Sequence, residues 1–139
     1  MGYGVLGEIG ENLLDRLLSA ANAQVRFMKE SMSRRGLSEV NGAARAEIVE
    51  TYLRALTRAA TQGSIALKDA AEGADVSLDA LMAAFGAYLD KAAGTLEASA
   101  LEYATIPEHR FSVVGLFRQI RSFLLAEASR EFAGSAAPH

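Results

Sequence analysis

The chain contains no cysteine, and that single absence excludes a disulfide scaffold, a thiolate zinc site and a cysteine nucleophile. Histidine is nearly as scarce. His109 and His139 are the only two, and neither has a second imidazole or a carboxylate at ligand spacing on the same helical face. The paired Glu-x-x-His motifs that hold a di-iron centre in a helical bundle do not occur, so the sequence predicts no metal and no cofactor. Charge of one sign is also lacking. The 14 Lys+Arg and 17 Asp+Glu leave a formal charge of −3, and Arg34-Arg35 is the lone basic doublet. A surface built to track phosphates needs clustered cations, so a nucleic-acid partner is not predicted.

Long apolar runs are missing as well. The longest weakly charged stretch, Phe111 to Ala126, carries Arg118 and Arg121. It falls short of the roughly 20 apolar residues that span a bilayer, and no membrane span is predicted. The N-terminal MGYGVLGEIGENLLDRLL has no basic opening, and Glu8, Glu11 and Asp15 interrupt its apolar residues. A secretory leader is therefore not expected, and a cytoplasmic protein is.

Catalytic groupings fail in the same way. The serines are scattered without a nucleophile elbow, and two peripheral histidines cannot supply a base with its orienting partner. The early glycines Gly2, Gly4, Gly7 and Gly10 follow no strand and precede no Lys-Ser/Thr, which excludes a phosphate loop. Glu47, Glu50, Glu97 and Glu102 read as solvated helix faces rather than paired catalytic carboxylates. The expectation is a protein without catalytic residues, not an enzyme.

What the chain has is helical periodicity. Its 139 residues, half of them hydrophobic, suit one domain over 1–139. Period-2 alternation is absent. Apolar residues instead recur at three- and four-residue steps, predicting helices over 6–35, 40–71, 78–104 and 106–132 with a loose tail over 134–139. Arg34, Arg35 and Gly36 read as the first helix's end, and Ser38 or Asn41 as the next cap. Asp75 or Ser77 reads as the cap of the third helix, and Thr105-Ile106-Pro107-Glu108 as a capping box opening the fourth. The class is all-α: long antiparallel helices in a four-helix bundle or a compact globin-like arrangement.

Apolar surface is unevenly placed. Alanine and glycine crowd the middle helices, at Ala83, Ala84, Gly86, Ala87, Ala92, Ala93 and Gly94, where backbones can approach closely. The fourth helix, by contrast, carries more apolar residues than one stripe holds. Either its own chain packs it on both sides, or a second surface meets a partner. On the second reading Leu13 and Leu17 of the first helix join Leu116, Phe117, Ile120, Phe123 and Leu124 of the last in a homodimer interface. Phe27, Tyr52, Phe85, Tyr88 and Tyr103 either fill the core or line a pocket for a small apolar ligand.

The order of these segments carries a resemblance. A first helix opening near Glu11-Asn-Leu-Leu-Asp15 is followed by EIVETYLRALTRAA, then GADVSLDALMAAFGAYLDKA, then a closing amphipathic helix. Over about Ile9 to Phe132 this resembles the heme-free, globin-like N-terminal sensory domain of RsbR-type stressosome proteins, with Val76 to Phe85 the most suggestive piece. The resemblance implies a dimeric, all-helical input domain of the stress response that passes a signal to an output module or protein partner. The stretch before Pro107, ASALEYATI, offers no proximal imidazole, which fits the heme-free form. Such domains precede a phosphorylatable α/β output domain, whereas this sequence stops after its helices. It is therefore expected to be an excised domain or a relative acting through a separate partner. The competing expectation is a structural helical subunit of a larger homo-oligomeric assembly.

Overall fold

A computed structural model describes residues 2–34, 42–71, 77–104 and 106–136, and among them there are four helices and no strand. They are α1 (Gly2–Arg34), α2 (Gly42–Ala71), α3 (Leu78–Leu101) and α4 (Pro107–Ala136). The all-α class stands, as a bundle of long helices. The signals at Gly36, Ser38, Asn41 and Asp75, and the side chains of Ile9, Ala44 and Ala70, lie outside the described residues.

Local chemistry sets the visible helix ends. Ser77 caps α3: its backbone is extended at φ −72° and ψ 156°, and its Oγ accepts from the Ala80 N–H at 3.1 Å. The other end of α3 tightens into short turns, with Tyr103 N–H donating to Ala100 O and Ala104 N–H to Leu101 O, each at 3.1 Å. Arg110 of α4 reaches back and donates to the carbonyls of Leu101 and Ala104 at 3.2 and 3.3 Å. A cation on the neighbouring helix thus serves carbonyls that a helix end leaves without partners. α4 begins at Pro107, with Ile106 O accepting from both His109 and Arg110 N–H at 3.1 Å. That places the start one residue beyond where a Thr105 cap would put it; Thr105 itself lies outside the described residues. α4 also runs to Ala136 rather than stopping at 132, because no proline intervenes before Pro138 to remove a backbone donor.

Packing follows chain order. α1 lies against α2, α2 against α3 and α3 against α4, with lesser contacts of α2 to α4 and α1 to α3. Among the described residues α1 and α4 do not meet. The paired centre of the bundle is therefore α2 with α3. Consecutive helices are antiparallel: Arg110 meets Ala104, Arg121 pairs with Asp90 and Phe132 stacks edge-on to Phe85 as α4 runs back along α3.

The apolar period accounts for the core. Ile48, Tyr52, Leu56, Ala59, Gly63 and Leu67, which share one face of α2, are all buried, and Phe85, Leu89, Ala92 and Leu96 answer from α3. Burying Phe85, Phe117 and Phe132 is the largest single contribution per residue, since truncating such a ring costs about 3–5 kcal/mol. Small residues let the central pair close up, but only some of those expected to. Ala92 and Ala93 are buried, whereas Ala83, Ala87 and Gly94 face outward.

Candidate functional site

An open cleft of about 520 Å³ lies where α1 crosses the start of α2 and the end of α3. α1 contributes Asn22, Arg26, Lys29, Glu30 and Ser33, whose three- and four-residue spacing puts them on one face. Tyr52 forms the floor from α2, and Ser99, Glu102 and Tyr103 close the α3 side.

Polar contacts fix the floor. Tyr52 is 2% exposed, and its hydroxyl donates to Asn22 Oδ1 at 2.7 Å. Burial, followed by the neighbouring Tyr103 and Glu102, pushes its pKa up to about 12. It is a hydrogen-bonding phenol at neutral pH and not a base. Lys29 Nζ stands 5.3 Å from the centroid of the Tyr103 ring, a cation–π distance. Two cations, Arg26 and Lys29, balance two acids, Glu30 and Glu102, so the cleft suits a polar or zwitterionic solute more than an apolar one. Among the described residues no group of three His, Asp or Glu could hold a metal ion.

The expected aromatic pocket does not assemble. Of Phe27, Tyr52, Phe85, Tyr88 and Tyr103, only Tyr52 and Tyr103 line the cleft. Phe85 is buried against Phe132, with ring centroids 5.8 Å apart at 82°. Tyr88 lays its ring over Gly63, where a Cβ would come within 2.5 Å of it, and Phe27 is 66% exposed. The lining residues other than Tyr52 and Tyr103 were not predicted as a pocket. The polar spacing on α1 is visible in sequence, but its meeting with Ser99, Glu102 and Tyr103 is a tertiary event.

The expected interface set divides three ways. Leu13, Phe117 and Leu124 are buried within the chain itself, so they cannot face a partner: they sit on the inward stripe of their helices. Leu17 and Ile120 are partly buried against the core. Leu116 and Phe123 are exposed, Phe123 to 59%. Phe111, which sequence reasoning did not single out, is the most exposed at 82%.

α4 thus carries large apolar residues outside the core as well as within it. Val113, Phe117, Leu124, Ala128 and Phe132 point into the core, while Phe111, Leu116 and Phe123 stand outside. From Phe111 to Ala126 the exposed residues are otherwise Ser112, Gly115, Arg118, Gln119, Ser122 and Ala126. Arg118 is the one charge among them, an unusually low density for a water-facing helix. Among the described residues no helix is long and apolar enough to cross a membrane. Comparison with protein families, curated proteins and solved structures finds no match for this chain.

Proposed function

We propose that the chain is a non-catalytic, signal-sensing helical domain, in which the polar cleft takes the input and the outer face of α4 passes it to a second subunit or output module. This is the role that the likeness to RsbR-type sensory domains implies. The observation that carries it is a shared turn. Glu102 and Tyr103 line the cleft, while Leu101 and Ala104, on either side of them, hold Arg110 of α4 through their carbonyls. A solute that repositions Tyr103 acts on the same turn that anchors α4, and a ligand shifts an equilibrium only through such differential contacts.

The test is sedimentation of the purified protein at micromolar concentration. The expected state is a discrete dimer whose dissociation constant changes when Tyr103 is replaced by Ala, with Arg110→Ala removing that sensitivity. A self-association equilibrium indifferent to cleft substitutions counts against sensing. A structural-subunit reading is favoured by one separate observation: exposed large apolar residues also occur on α1, at Phe27, and on α2, at Ile65. Several sticky faces suit an extended assembly, and a large or open-ended particle would support that reading instead.

A further inference from the structure

We infer that the outer face of α4 docks on the same face of a second copy of this chain, antiparallel, with the two-fold axis at Gln119. The inference rests on the α4 half of the reading above and adds the occupant and its register.

Exposed small or neutral residues recur along α4 at Ser112, Gly115, Gln119, Ser122, Ala126 and Ser129, in strict steps of three and four. That is the spacing of a helix–helix seam. No heavy atom beyond its own helix lies within 4 Å of where a Cβ on Gly115 would stand. The seam is therefore open, and large exposed residues, Leu116 and Phe123, stand beside it.

An antiparallel pair centred on Gln119 brings residues equidistant from it to the same level. Ser112 is then level with Ala126 of the other copy. Leu116 comes within one residue of Phe123 of the other copy on the same flank of the seam, so the exposed large apolar residues meet each other. Glu108 and Arg130, each 11 residues from Gln119 and about 16 Å away along the axis, also come level as opposite charges. Arg130 pairs with Glu127 along its own helix. One like-charge approach remains, between the two copies of Arg118, about 3 Å apart along the axis on the opposite flank. A parallel pairing would instead set Arg118, Arg130 and Glu108 each beside its own copy. Glu108 level with Arg130 and Leu116 beside Phe123, both supplied by one helix, select a second copy over an unrelated partner.

The cysteine-free sequence makes the register directly testable. Under oxidation Gln119→Cys should form a disulfide-linked dimer, while Thr57→Cys, exposed on α2, should not. A mixture of Ser112→Cys and Ala126→Cys chains should crosslink as the heterodimer in preference to either homodimer. Glu108→Arg should weaken the dimer about tenfold, as two reciprocal exposed pairs imply, and adding Arg130→Glu should restore it. Phe123→Glu should yield a monomer with unchanged helical circular dichroism. A protein that is monomeric at micromolar concentration overturns the inference, as does a Gln119→Cys chain that crosslinks no better than the control. A dimer that survives Phe123→Glu overturns this interface alone; a large assembly that survives it overturns the sensing reading as well.

Discussion

Gly63 and Tyr88 show how one missing side chain positions a ring. Alanine normally improves a helix interior by about 1 kcal/mol over glycine. Here its Cβ would meet Tyr88 Cε2 at 2.5 Å, so Gly63→Ala is expected to destabilise by about 1–3 kcal/mol in urea unfolding, and much less in a Tyr88→Ala background. The two buried phenols should respond oppositely to loss of the hydroxyl. Tyr52→Phe forfeits the bond to Asn22 and should cost about 1 kcal/mol. The Tyr88 hydroxyl is buried with no hydrogen-bonding partner among the described residues, so Tyr88→Phe should be neutral or stabilising by up to about 1 kcal/mol. Equal losses from the two substitutions would contradict this assignment.

At the scale of elements, the helices draw on different supports. α3 has a side-chain cap at its start and a borrowed cation at its end, through Ser77 and Arg110. Ser77→Ala should therefore lower stability by about 1 kcal/mol, with the loss of hydrogen-exchange protection concentrated in the first turn of α3. α4 is held on two sides. Asp90 of α3 pairs with Arg121, and Lys68 of α2 reaches Glu131 at 3.1 Å and lies 5.9 Å from the Phe132 ring centroid. These exposed pairs contribute little each, so the burial of Phe117, Leu124 and Phe132 anchors the helix. The remaining face of α4 leaves Leu116 and Phe123 exposed.

For the whole molecule, pH offers a global readout. Tyr52 and Tyr88 have pKa values raised from 10.0 to about 12, the former mainly by burial with help from Tyr103 and Glu102, the latter by burial. Below pH 10 both phenols are protonated whether folded or unfolded, and their contribution to stability is fully present. Between pH 10 and about 12 the unfolded chain releases protons that the folded one retains, so stability should fall across that window. Denaturant midpoints measured through this range check it, and tyrosinate absorbance should appear together with unfolding. A midpoint flat through pH 12 would contradict the burial of both hydroxyls.

Much of this was written locally along the chain. Apolar residues at three- and four-residue steps placed Ile48, Leu56, Leu89 and Leu96 in the core, and the Ser77 cap was legible beside Asp75, because helical period and capping are short-range effects. The surplus of apolar residues on α4 was legible too. Which of them face water was not: Phe117 and Phe123 differ by six residues and are alike in type, yet one is buried and the other exposed. That division depends on which sides of α4 its neighbours cover, and no local pattern records it. The cleft was hidden for the same reason. Lys29 and Tyr103 are far apart in sequence, and only the packing of α1 across the end of α3 sets one over the other.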